Sequence, residues 1–175
     1  MTTLLLVRHA ETDWNAVGRL QGHTDRPLSD FGRRQAEQLA AELEGEELEA
    51  IYSSDLARAR ETAEVVGERL GLPVALDPDL REKDWGTWEG LTPIERDRVE
   101  FVGESTKAHQ ERMLEALRRI ADRHPGGRVL VVTHGGSMRR VQAVALGIAL
   151  PVVENCERWL CVFENGDFRP VIRSG

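Results

Sequence analysis

The sequence predicts an α/β fold: a single domain spanning 1–175, with a mostly parallel mixed sheet between two layers of helices. Three observations carry this. The run Thr3-Leu4-Leu5-Leu6-Val7 is continuously apolar and stops at Arg8-His9, and Val129-Leu130-Val131-Val132 repeats the pattern and stops at Thr133-His134. Uninterrupted apolar strands of this kind are buried on both faces, as in parallel sheets covered by helices. Between them lie segments whose apolar residues recur at helical spacing, so strands alternate with helices along the chain.

Taken in order, 3–7 is the first strand, and 10–30, with Gly18, Gly22, Pro27 and Ser29, reads as a long ordered loop. Ala36, Leu39, Ala40 and Leu43 mark a helix stopped near Gly45, and 48–52 is a second strand. Ser53-Ser54-Asp55 offers caps for a helix with Leu56, Ala59, Ala63, Val66 and Leu70, closed by Gly71. Residues 73–102 are the least regular and contain Trp85 and Trp88; within them, 91–102 reads as one helical turn or a lid. Met113, Leu114, Leu117, Ile120 and Ala121 define another helix, ended by His124-Pro125-Gly126-Gly127. The strand 128–133 follows, then a helix from about Ser137 to Leu146. Two final strands, 157–163 and 168–172, join across Asn165-Gly166, a hairpin signal.

Composition narrows the function. The 175 residues carry a net charge of −7, which argues against a broad nucleic-acid-binding face while leaving room for a local positive pocket. No apolar run is long enough to span a membrane, and no basic leader precedes the first strand, so a cytoplasmic protein is expected. Cys156 and Cys161, five apart along the expected strand, read as buried small hydrophobes on opposite faces rather than a disulfide. No HExxH or close Cys–His set occurs, and the acids form no metal-ligand pattern, so neither a metal nor a cofactor is expected.

Ligands in open α/β sheets bind beyond the carboxyl ends of the strands. His9 and His134 occupy two such ends, beside Arg8 and Gly135-Gly136 respectively. Either histidine alone could simply satisfy loop backbone. Together, with an arginine and a glycine-opened helix, they suit phosphoryl chemistry: guanidinium forks and helix-end amides hold the oxygens while a neutral imidazole attacks phosphorus.

The run Leu6-Val7-Arg8-His9-Ala10-Glu11-Thr12-Asp13-Trp14-Asn15 resembles the signature of the histidine phosphatase superfamily, the phosphoglycerate mutase-like fold. Agreement continues through Gly18-Arg19, Gln21-Gly22, Asp25, Pro27-Leu28, Gly32 and Gln35-Ala36. It resumes at Ser53-Ser54-Asp55-Leu56-Ala57-Arg58-Ala59 with Thr62-Ala63, Leu80-Arg81-Glu82, and Gly86 with Trp88-Glu89-Gly90. Gly103-Glu104-Ser105, Thr133-His134-Gly135-Gly136 and Arg139 complete it, in family order over nearly the whole chain.

The resemblance implies that His9 becomes a phosphohistidine and that Arg8, Arg58 and His134 hold the phosphoryl group. It further implies that Glu82 is general acid and then base, with Glu11, Asp84 and Glu89 as competing acids in the sequence. Asn15, Gln21, Gly22, His23 and Gly135 join the expected substrate-binding set. Ala10 departs from the family's usual glycine. Trp85 and Trp88 line the leaving-group side or pack in the core; His109 and His124 read as surface or capping groups, and Arg139 as structural. The segment between Gly90 and Gly103 is shorter than in typical relatives, and a short lid admits water, which favours a phosphatase over a mutase. Relatives of this size include alpha-ribazole and broad-specificity phosphatases. A small phosphomonoester is the expected partner, and a shortened lid leaves apolar area that a homodimer could cover. A non-catalytic phospholigand-binding protein on the same fold is the alternative outside enzymology, although His9 and Glu82 are both kept.

Overall fold

The structure is a computed structural model that describes residues 1–148 and 151–171. Its sheet has six strands: β1 (Thr2–Arg8), β2 (Ala50–Ser53), β3 (Val74–Leu76), β4 (Arg128–Thr133), β5 (Arg158–Glu164) and β6 (Asp167–Pro170). They lie in the order β3-β2-β4-β1-β5-β6. The first four in that order run parallel, and β5 and β6 close the sheet antiparallel. This is the mixed, mostly parallel α/β architecture expected.

The apolar runs are continuous because each strand feeds two cores. Leu4 and Leu6 join Val129 and Val131 on one face, against α5 (Thr106–Arg123) and α6 (Gly135–Leu146). Leu5 and Val7 join Leu130 and Val132 on the other, against α2 (Asp30–Glu42) and α3 (Ala57–Leu70). Alternate residues point to opposite faces, so every position in the run is apolar. Each fully buried leucine or valine contributes about 1.5–3 kcal/mol.

Several elements differ from the sequence reading. β3 is an extra edge strand of three residues, too short to carry a period. The 10–30 loop holds a one-turn helix, α1 (Asp13–Ala16), with a Thr12/Asn15 capping box. α3 is not capped by the serines before it. Asp25 Oδ1, from the distant loop, accepts from Ala57 N at 2.7 Å, while Ser54 Oγ accepts only weakly from Leu56 N at 3.3 Å. α6 begins at Gly135, with His134 as its N-cap. Cys156 precedes β5 rather than lying on it, in a left-handed turn at φ 59°, and is half-buried; Cys161 is buried, and both are free. The Asn165-Gly166 hairpin is present, and the expected end of its second strand, Ile172, lies outside the described residues. Among the described residues no helix is long and apolar enough to cross a membrane.

Candidate active site

Parallel pairing brings the two histidines together. β1 and β4 are neighbours, with Arg8 opposite Thr133, so His9 and His134 follow at one level. His9 N donates to Thr133 O at 2.9 Å, and the two imidazoles meet edge to face with ring centroids 5.2 Å apart. β2 adds the third strand end: Ser53 pairs with Val132, and the next residue, Ser54, places its Oγ 2.9 Å from His134 Nε2.

The hydrogen bonds assign the His9 tautomer. Its Nδ1 lies 2.7 Å from the Ala10 carbonyl, which can only accept, so Nδ1 carries the proton and Nε2 keeps its lone pair. Burial and then the charges of Arg58 and Arg8 hold the His9 pKa well below the ordinary histidine value. Burial and the same arginines, with His9, act likewise on His134. Both rings are therefore neutral at pH 7.

Arg58 is 1% exposed and is anchored through its helix and two carbonyls: Nη2 donates to Gly22 O at 2.7 Å and Nη1 to Thr24 O at 3.1 Å. Burial lowers its pKa to about 10, opposed by Glu82, Asp25 and Glu89, so it remains a cation. Arg8 Nη1 donates to Val153 O at 2.5 Å. Arg8 Nε, Arg58 Nε and His134 Nδ1 are buried with no hydrogen-bond partner among the described residues.

A cavity of about 220 Å³ opens at this point. Arg8, His9, Asn15, Gln21, Gly22, Arg58, Glu82 and Gly135 line it, and His134 backs it as the fully buried neighbour of His9. Thr12 orients both amides. Asn15 Oδ1 accepts from Thr12 N at 3.1 Å, and Gln21 Oε1 accepts from Thr12 Oγ1 at 2.8 Å, which leaves each NH₂ as the donor end. Glu82 Oε2 accepts from Gly136 N at 2.9 Å and Oε1 from Lys83 N at 2.9 Å, so two main-chain amides fix the carboxyl. A Cβ at Gly136 would collide with that carboxyl, so the glycine is what lets Glu82 approach the start of α6 this closely.

The competing acids are engaged elsewhere. Glu11 Oε1 accepts from Ser29 Oγ, Asp84 Oδ1 accepts from Gly86 N, and Glu89 accepts from His23 N, Thr24 N and Trp85 N. Of the expected substrate set, His23 stands apart from the lining of this cavity, its Nε2 lying 3.0 Å from the Glu82 carbonyl. Ala10 does not crowd the pocket, because its methyl is buried with Leu28 and Ala36. Trp85 lines the cavity, while Trp88 stacks behind it at 6.0 Å and contacts Phe101 at 4.7 Å.

Other residues escaped the sequence reading. His109 is buried, not a surface group: its Nε2 lies 2.9 Å from Ser137 Oγ and 3.7 Å from Glu82 Oε1. The signal was present, since His109 shares helical spacing with Met113, Ala116 and Ile120. Arg139 lines the cavity, as do Arg19, Val152 and Val153. Asn155 Nδ2 donates to His9 O at 2.9 Å, a contact across 146 positions that no local pattern announces.

Fold and site together define a phosphatase of the histidine type. The model for the histidine phosphatase superfamily (branch 1) matches residues 4–169, and the chain belongs to that family. It is 40% identical over 155 residues to phosphoglycerate mutase-like protein 4 of Arabidopsis thaliana, covering 78% of this chain and 67% of that protein. It is 38% identical over 160 residues to the metal-independent phosphoserine phosphatase of the same plant, covering 81% and 67%. Among solved structures, Bacillus stearothermophilus YhfR superposes with a TM-score of 0.90 at 35% identity, covering 99% of this chain and 96% of that one.

Proposed function

We propose that the chain hydrolyses a small phosphomonoester through a phosphohistidine on His9. The observation that carries this is the His9 tautomer: its Nδ1 proton is committed to the Ala10 carbonyl, so Nε2 holds the lone pair a nucleophile needs. In the first step Nε2 bonds to phosphorus as the P–O ester bond breaks. Glu82 gives its proton to the departing oxygen. In the second step water attacks phosphorus, Glu82 takes the water's proton, and the P–N bond returns its electrons to His9.

Charge on the phosphoryl oxygens is met by Arg8 and Arg58, whose leftover buried N–H groups suit an oxyanion, and by His134 in the tautomer where Ser54 Oγ donates to Nε2 and Nδ1 keeps the proton, with the Asn15 and Gln21 amides beside them. Fixed donors of this kind strengthen as charge spreads in the transition state. The cavity is below the roughly 300–1,000 Å³ of drug-sized sites, which supports a small metabolite as substrate. Water rather than a second alcohol is the acceptor in this reading. Its support is the brevity of the cover: between Gly90 and Gly103 the chain makes only one four-residue helix, α4 (Pro93–Arg96), and loop.

The test is acid-quench capture of phosphoenzyme from a ³²P-labelled monoester by wild type and His9→Ala. Labelled wild type, an unlabelled variant and release of label as inorganic phosphate support the reading. Passage of label to an added alcohol in preference to water overturns hydrolysis in favour of a mutase.

A further inference from the structure

Glu82 has to carry a proton in the first step and lack it at the start of the second, yet its two closest contacts are alike in both. Lys83 N donates to Oε1 and Gly136 N to Oε2, each at 2.9 Å. Main-chain amides donate and cannot accept, so neither contact adjusts when the carboxyl changes state. Two neighbours of Oε1 can adjust. Ser137 Oγ is 3.5 Å away, and His109 Nε2 is 3.7 Å from Oε1 and 2.9 Å from Ser137 Oγ. His109 is the polar member of a buried α5 face that continues as Met113, Ala116, Leu117 and Ile120. A buried imidazole is costly without a hydrogen-bond partner, and Ser137 supplies one.

The hydrogens follow from what each atom can do. Ser137 Oγ also lies 3.2 Å from the Arg81 carbonyl, which only accepts, so the single hydroxyl hydrogen has Arg81 O and Glu82 Oε1 as its two acceptors. With that hydrogen on either of them, an Oγ lone pair faces His109, whose Nε2 then carries the ring proton. The ring faces Glu82, Glu104, Lys83 and Arg112; burial lowers its pKa, Glu82 opposes this and Arg112 adds to it. We propose that His109 is a positioning residue for the general acid: by donating to Ser137 Oγ it holds the hydroxyl so that its hydrogen swings from Arg81 O onto Glu82 Oε1 as the carboxyl gives up its proton. A hydroxyl that accepts a hydrogen bond is also the stronger donor. The proposal rests on the hydrolase reading above and assigns a further residue to its first step.

The experiment compares p-nitrophenyl phosphate with phenyl phosphate, which have similar shapes and differ in how basic the departing oxygen is. Nitrophenolate leaves unaided, whereas phenolate needs the proton of a general acid. The readout is kcat/KM, which covers transfer to His9 and excludes the later attack of water. His109→Met is expected to lower kcat/KM on phenyl phosphate by about tenfold, the scale of a hydrogen bond to a charged group, and to leave p-nitrophenyl phosphate within about twofold. His109→Gln, whose amide N–H also donates to Ser137, restores phenyl phosphate to within about threefold of wild type. Ser137→Ala reproduces the His109→Met pattern and decides the matter if His109→Met melts early; the double variant loses no more than either single one. Equal losses on the two esters in Ser137→Ala overturn the positioning role, as do equal losses in the Met and Gln variants or losses that add in the double variant. Wild type that hydrolyses p-nitrophenyl phosphate alone lacks a working acid and overturns the positioning role by itself. Wild type that hydrolyses neither ester and forms no phosphoenzyme overturns the hydrolase reading and the positioning role with it.

Discussion

Arg58 and Trp85 line the same cavity and are held by different physics. Arg58 is fully buried on a helix, and two of its nitrogens are fixed on the Gly22 and Thr24 carbonyls. Trp85 is half-buried on an irregular segment and is held by stacking on Trp88 and by the Lys83 cation. Hydrogen bonds to carbonyls are directional and set a position to fractions of an ångström; aromatic packing is broad and tolerates sliding. One end of the cleft is thus rigid and suited to an invariant phosphoryl group. The other can adapt to a leaving group.

The contrast breaks most sharply at the nucleophile. His9→Ala should lower kcat by about 10⁴-fold or more and abolish the acid-labile adduct, measured against an unchanged circular dichroism spectrum. Arg58→Lys, which keeps charge but loses the fork, should cost about 10²–10³ in kcat/KM. Trp85→Leu should act mainly on KM, by about tenfold, with kcat nearly kept. Equal damage from the last two substitutions in steady-state assays would erase the distinction between the two ends.

A pH experiment sharpens the rigid end. Burial holds the pKa of His9, His109 and His134 below the ordinary value of 6.5, so the folded state resists protons that the unfolded chain accepts. The unfolded state then binds more protons, and stability falls as pH drops through about 6.5. Urea midpoints should decline between about pH 7.5 and about pH 5.5, and less so in His109→Gln. A flat profile in wild type contradicts imidazoles held neutral. The smallest effect is expected at Asp25, whose carboxyl caps α3 from another loop. Asp25→Ala should cost about 1 kcal/mol, a melting shift of about 2–4 °C by calorimetry.

What the sequence disclosed follows the range of the interactions. The five strands other than β3, the α2, α3 and α5 faces, and the meeting of His9 with His134 were readable, because apolar period and strand ends are local signals. The cap of α3 was misassigned to Ser53-Ser54-Asp55 because the accepting carboxylate, Asp25, lies 32 positions away. His23 looked like a substrate contact from its loop, and only three-dimensional placement turns its ring onto the Glu82 carbonyl. His109 was misread for a different reason: a histidine on an apolar helix face was given the exposure of its type rather than of its position.

The place of β1 has one more consequence. It precedes the other five strands in sequence, yet among the described residues its neighbours in the sheet are β4 and β5, whose residues begin at 128 and 158. During synthesis the nascent segment bearing His9 must wait unpaired until most of the chain has emerged, and such late long-range closure is slow. Truncated products ending before β4 therefore lack any strand to dock His9 against.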